Sequence, residues 1–316
     1  MNFLPIFEKM VELFLIIIIG YIGNKCQVFG SKAKQYMSKL ILNITLPATI
    51  LSAEMNSDRI PSHSELASIL VVAFSSYAVL YVLAVVTSHL LGGNANQRGV
   101  TKFGIMFSNV GFIGYPVTMA VFGADSLLYT VIFNMPFNLL CYSLGAYFIK
   151  NKDMPEDAVG GRSAKVTRAL KLILTPTMIS SLICLAMAYA GVRGPRILAS
   201  TFDMVGGITT PGALLIIGCS LAEMPVKEMF NNVRSYIFTI IKVVVVPVII
   251  YFVYRPFVGG DALLMGVTVI ICSMPVATAG TMLCVEYGGD EKFMAQVTFL
   301  STLASVITIP ILAALV

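Results

Sequence analysis

Charge is the scarcest commodity in this sequence. Asp, Glu, Lys and Arg make up 12% of its 316 residues, against 57% hydrophobic residues. A water-soluble globular chain carries about a quarter charged residues. Half that share, with the charges confined to gaps between long apolar runs, points to a chain solvated by lipid. Paired cysteines are missing too. Cys26, Cys141, Cys184, Cys219, Cys272 and Cys284 form no CxxC and have no histidine at zinc-type spacing, so neither a disulfide framework nor a metal is expected. There is no GxxxxGK[ST] loop to bind ATP phosphates, and no GxSxG or HExxH to support an intramembrane enzyme. Paired acids at mid-membrane, which a cation antiporter normally carries, are also lacking. No cofactor is implied.

The net charge of +5 does not suggest nucleic acid, because the basic residues sit in the connections between apolar runs. They read as topology signals. The N-terminal run is not a signal peptide: Glu8 and Glu12 interrupt its start, and no small-residue cleavage site follows Ile16–Ile19.

A membrane-crossing helix needs about 20 mostly apolar residues. Ten stretches qualify, at approximately 5–24, 36–55, 65–91, 99–123, 126–149, 169–191, 196–221, 235–255, 262–285 and 293–315. The connections after odd-numbered spans hold fifteen Lys and Arg, against five on the other side. That bias places the odd connections in the cytoplasm and both termini outside an inner membrane. A polar linker, 151–168, separates a first set of five spans (1–150) from a second (169–316).

The two sets resemble each other. Gly20-Tyr-Ile-Gly-Asn-Lys25 matches Ala188-Tyr-Ala-Gly-Val-Arg193, Thr45-Leu-Pro-Ala matches Thr209-Thr-Pro-Gly, and Val121-Phe-Gly-Ala-Asp125 matches Glu286-Tyr-Gly-Gly-Asp290. The offsets are 168, 164 and 165 residues. An odd number of spans per repeat makes the second repeat enter the membrane from the opposite side, so the expected fold is all-α, with two inverted five-helix repeats.

Spans 4 and 9 are the ones expected to break. Ser108, Asn109, Gly111, Gly114 and Pro116 fall within nine residues of span 4, and Ser273, Pro275, Thr278, Gly280 and Thr281 do so in span 9, opposite it at the offset of 165. Proline removes a helical hydrogen bond and clashes with the preceding turn. Freed backbone persists at membrane depth only where protein or a watery cavity covers it. Two breaks meeting at the midplane would aim two helix N-termini at one site, a geometry suited to a carboxylate. The bland reading is a pair of proline kinks relieved by neighbouring Ser and Thr. Pro47 and Pro211 in spans 2 and 7 read as such kinks, with Asn43 satisfying freed backbone.

Lys242, about eight residues into span 8, either snorkels to the cytoplasm or faces the cavity as a counter-charge. Asp203 in span 7 is a candidate coupling-ion carrier, or else a cap or partner of Arg196. Asn134 and Asn138 share one helix face; with Ser301, Thr302 and Ser305 of span 10 they either line the cavity or bond helices together. His63 and His89 lie near span ends and are expected in solvent.

At these residues the sequence resembles the auxin efflux carrier family, which includes plant PIN-type carriers and bacterial malonate or malate permeases. The resemblance spans the chain and rests on Leu46-Pro-Ala48, Ser108 to Pro116, Thr210 to Gly218, Lys242 with Pro247, Met274-Pro275, and Ser301 to Pro310. It implies a fold similar to bile-acid/sodium symporters and NhaA-type antiporters. In that fold spans 1, 2, 6 and 7 form a dimerising scaffold, spans 3–5 and 8–10 move, and a carboxylate binds at the crossing of spans 4 and 9, here at Pro116 and Pro275 beside Asn109. The long cytoplasmic loop of many plant members is absent, which favours a small bacterial-type dicarboxylate over auxin. The expected function is therefore secondary transport of small organic anions, coupled to H+ or Na+. A ligand-binding sensor on the same fold is the alternative.

Overall fold

A computed structural model describes residues 3–57, 60–150, 174–258 and 260–315. The linker 151–168, the first residues expected of the sixth span and Arg59 lie outside the described residues. Regular structure among the described residues is helical, apart from one isolated antiparallel bridge. Helix α1 spans Phe3–Lys25, α2 spans 31–55, α3 His63–Leu91, α4 Ala95–Met106, α5 Val110–Phe122 and α6 Ser126–Ile149. After the linker come α7 Pro176–Ala190, α8 Arg196–Glu223, α9 Val233–Val258, α10 Ala262–Ser273, α11 Ala279–Tyr287 and α12 Glu291–Leu315.

Five of these, α3, α6, α8, α9 and α12, are long and apolar enough to cross a membrane, and α5, α7 and α10 are shorter apolar helices. The chain is an all-α polytopic membrane protein.

The ends of these helices follow from their sequence. Side-chain oxygens of Ser62, Asn94, Thr175, Asp261 and Asp290 accept backbone N–H bonds at the starts of α3, α4, α7, α10 and α12. This relieves the orphan donors of a first turn. Gly123 (φ 80°) ends α5 and Gly288 (φ 67°) ends α11. Both adopt positive φ, which a side chain disfavours. They are the two glycines aligned in the sequence comparison.

Three prolines are accommodated by local widening, whereas Pro136, Pro256 and Pro310 sit inside helices with no such turn just before them. Helices α2, α5 and α9 each contain a five-residue π turn, at Ile41–Thr45, Val110–Gly114 and Ile241–Val245. In each case a proline follows six residues after the turn begins: Pro47, Pro116 and Pro247. The widened turn makes room for a ring that would otherwise strike the preceding turn. Two threonines then satisfy nearby carbonyls, Thr49 Oγ1 donating to Thr45 O (3.0 Å) and Thr118 Oγ1 to Gly114 O (2.9 Å). Asn43 Nδ2 donates to Lys39 O at 2.9 Å.

Helices α1, α2, α7 and α8 pack tightly through small residues. A Cβ placed on Gly218 would lie 2.0 Å from Ile17 O, and one on Gly20 would lie 2.3 Å from Leu215 O, so these glycines permit direct backbone contact between α1 and α8. Cys219 Sγ donates to Gly20 O at this crossing, 3.4 Å away. Thr45 and Thr209, aligned in the sequence comparison, bond through their hydroxyls at 2.9 Å. Glu54, almost fully buried at the end of α2, pairs with Arg193 beyond α7. Sequence reading overlooked this acid, because its partner lies 139 residues away.

Candidate functional site: a helix crossing and its cavity

Spans 4 and 9 are each interrupted, as their composition predicts, and the interruptions touch. Between α4 and α5, residues Phe107–Asn109 run extended; between α10 and α11, Met274–Ala277 do the same. Asn109 N donates to Pro275 O at 2.8 Å and Ala277 N to Phe107 O at 3.0 Å, closing the bridge between Ser108 and Val276. The two bonds are reciprocal: Asn109 and Ala277 are 168 residues apart, and so are Phe107 and Pro275. The offset of 165 would have set Ser273 opposite Ser108, and the structure corrects this by three residues. The reason is the unequal length of the second half-helices, since α5 runs from Val110 to Phe122 while α11 runs only from Ala279 to Tyr287.

Side chains complete the crossing. Ser301 Oγ accepts from Val276 N (3.1 Å), a bridging role rather than a place in the cavity wall. Phe107 wedges against Phe103, Phe137 and Tyr77, with ring centroids 4.9, 6.0 and 6.2 Å apart. Such packing holds an irregular segment rigidly.

Lys242 is found at neither of its expected positions. It is 0% exposed and does not line the cavity. Its Nζ donates to Ser108 Oγ (2.8 Å), Ile105 O (3.1 Å) and Cys272 O (3.4 Å). Ile105 and Cys272 lie in the last turns of α4 and α10, so one ammonium serves the negative ends of both half-helices. Snorkelling fails because Ser108, Ile105 and Cys272 hold the ammonium in the interior.

The opposite side of the crossing holds a cavity of about 100 Å³. Asn109, Gly111 and Phe112 line it from the start of α5, and Ala277, Thr278 and Ala279 from the start of α11. Helix α6 contributes Asn134, Phe137, Asn138 and Tyr142, while Leu42 and Leu46 of α2 and Thr177 of α7 close the wall. Among the described residues, no hydrogen bond to the backbone N–H groups of Gly111, Thr278 and Ala279 is found outside the helices' own ladders. Asn134 and Asn138 are only 2% and 8% exposed, yet Asn134 Oδ1 and Asn138 Nδ2 are unpartnered. Buried polar groups are rarely left so. Two helix N-termini and two unsatisfied carboxamides therefore face one space that no charged side chain lines.

Of the residues singled out from sequence, Asn109, Gly111, Asn138 and Thr278 line this cavity. Ser108, Gly114, Pro116, Pro275, Thr281 and Thr302 do not. Ser108 is bound to Lys242, Thr281 and Thr302 return their hydroxyls to Thr278 O and Thr298 O, and Pro275 supplies its carbonyl to the crossing. Asp203 is exposed on α8, away from the cavity. Sequence reading passed over Thr177 and Tyr142. Thr177 follows a linker that breaks any periodic argument, whereas Tyr142, four residues beyond Asn138, was within reach of helical spacing.

Comparison with known proteins bears on what such a crossing does. Over 318 aligned residues the chain is 21% identical to an uncharacterized transporter of Methanothermobacter thermautotrophicus, covering 98% of each chain. It is 22% identical to an uncharacterized transporter of Methanocaldococcus jannaschii, covering 96% of each. A protein of Rhizobium meliloti provisionally named a malonate transporter is 21% identical, over 95% of this chain and 92% of its own. Residues 5–313 match the model of the membrane transport protein family. The chain thus belongs to the membrane transport protein family, the auxin efflux carrier-like group that its motifs resemble.

Proposed function

We propose that this protein is a secondary carrier of small organic anions, and that a substrate carboxylate binds in the cavity at the crossing. One observation carries the reading. Gly111, Thr278 and Ala279, at the starts of α5 and α11 where first-turn N–H groups lack intrahelical partners, line the same uncharged space. Backbone N–H groups at helix N-termini bind carboxylates through hydrogen bonds and dipole together. Asn109, Asn134 and Asn138 add side-chain bonds. Pro116, Pro275, Ser108 and Lys242 act behind them by holding the two breaks in place.

The architecture in this proposal is ten spans in two inverted repeats, 1–150 and 169–316, with both termini outside the cell. Helices α1, α2, α7 and α8 form a scaffold, and the crossing helices move against it with α3, α6, α9 and α12, giving alternating access. The reciprocal bonds at the crossing and the Thr45–Thr209 contact support the repeat, since both join residues at nearly constant separation. Large apolar side chains such as Ile19 and Ile22 of α1 and Ile197 and Met204 of α8 point outward, available to lipid or to a second copy. Coupling to protons or sodium belongs to the same proposal. The provisional name of the Rhizobium meliloti relative makes malonate the first substrate to try.

Counterflow of labelled malonate, malate and pyruvate in proteoliposomes tests the carrier. Accumulation of at least one label against unlabelled internal substrate is expected. Measurable binding without counterflow of any of them would point to a sensor instead.

A further inference from the structure

We propose that the cavity is matched to a single negative charge, so that a monocarboxylate binds as its anion and a dicarboxylate binds with one carboxyl group protonated. This rests on the carboxylate reading above and specifies which charge state the site accepts. A helix N-terminus is equivalent to about half a positive elementary charge. Two meet here, α5 and α11, and together they supply about one. Nothing adds to that total among the cavity residues, which include no Asp, Glu, Lys, Arg or His. Lys242 is the nearest cation described at the crossing, but its ammonium is bound to Ser108, Ile105 and Cys272 at the opposite helix ends.

A dianion would leave one charge uncompensated in a small space with mostly apolar walls. Such a group takes up a proton rather than stay ionised. The polar lining agrees. An ionised carboxylate only accepts hydrogen bonds, whereas a carboxylic acid also donates one. Asn138 Nδ2 is a buried donor without a partner and Asn134 Oδ1, beside the Tyr115 hydroxyl, is an acceptor, so the amides present a partner for each kind of group.

The titratable neighbours are few. Tyr142 lines the cavity, Tyr115 lies with its hydroxyl beside the Asn134 amide, and Lys242 sits behind the crossing on Ser108. From α2, α5, α7 and α11 the lining residues are Leu42, Leu46, Phe112, Thr177 and Met282 with Asn109, Gly111 and Ala277 to Ala279, none of them ionisable. A pH dependence seen with a dicarboxylate and not with a fixed monoanion would therefore belong to the ligand. A dicarboxylate entering this way brings its own proton across the membrane, and the net charge carried is one per molecule.

The test compares malonate with monomethyl malonate, a fixed monoanion, binding to the purified full-length protein between pH 5 and 8. Above the second pKa of malonic acid, malonate affinity should weaken by about tenfold per pH unit as its monoanion disappears. Affinity for the monomethyl ester should stay flat over that range. Malonate affinity that is constant or rises with pH, with poor binding of the ester, would overturn the charge assignment and leave the carrier proposal standing. If neither ligand binds at any pH, nor pyruvate, both readings fall.

Discussion

Gly111 is the residue at which the cavity can be probed with the least disturbance. A Cβ added there meets nothing within 4 Å, and the backbone has no positive φ to penalise it. Gly111→Ala should fold with an unchanged melting temperature while its methyl group occupies space next to the backbone N–H. We expect anion affinity to fall by about tenfold, equivalent to about 1.4 kcal/mol, measured by equilibrium binding; unchanged affinity would place the substrate elsewhere. Asn138→Leu removes a buried donor without adding charge, and a loss of about 1–3 kcal/mol in binding is expected, against a fold that no longer contains an unpaired amide. Asn109 and Asn138 could be read from sequence because amides are conspicuous in apolar runs. Thr177 could not, since nothing local tells a threonine at a helix start that its neighbour is Leu42, whose carbonyl accepts its hydroxyl at 2.9 Å.

Among the helices, the interruptions themselves were legible and their contents less so. Proline, glycine and asparagine within a few residues mark a break wherever it occurs, and both breaks fall where that composition predicts. The pairing of Ser108 with Val276 was hidden, because it depends on how long each half-helix runs beyond the crossing. The direction of Lys242 was hidden for a related reason: its acceptors Ile105, Ser108 and Cys272 lie 137, 134 and 30 residues away along the chain. This position changes what its removal should do. Lys242→Met leaves the carbonyls of Ile105 and Cys272 and the Ser108 hydroxyl without their donor. At about 1–3 kcal/mol for each buried group left unsatisfied, the variant should lose several kcal/mol of stability, seen as a lower melting temperature in detergent. A variant that melts like the parent but no longer binds anion would instead make Lys242 a direct ligand. Removing Ser301, which receives the Val276 N–H, should destabilise the same crossing by a smaller amount.

For the molecule as a whole, the proposed division into a fixed scaffold and a moving body predicts where a covalent tie is harmless. Thr45 and Thr209 touch within the scaffold, through hydroxyls 2.9 Å apart. A disulfide formed between Cys replacements at these positions, with the exposed Cys26 replaced, should leave counterflow intact. Abolished transport on oxidation, restored by reductant, would show that these helices move relative to each other. The glycine contact of α1 with α8 makes a second test. Gly218→Leu would drive a side chain into the Ile17 carbonyl, 2.0 Å from the first added carbon, and should reduce the yield of folded protein sharply. The apolar, all-helical character and the break positions were readable because hydropathy and proline act locally. The close helix contacts were not, since they depend on which faces meet.

The shared lysine also has a meaning in time. Ile105 O receives its bond from a residue 137 positions further along the chain. At a synthesis rate of about 5–20 residues per second, that partner emerges roughly 7–27 s later. The Asn109 N–H waits longer still, because Pro275 lies beyond Lys242. During that interval the first broken span sits in or near the membrane with the polar ends of its break unmatched by the protein. Translation of the second half is therefore the step that completes the first, and a pause within the linker would prolong the life of an unfinished crossing.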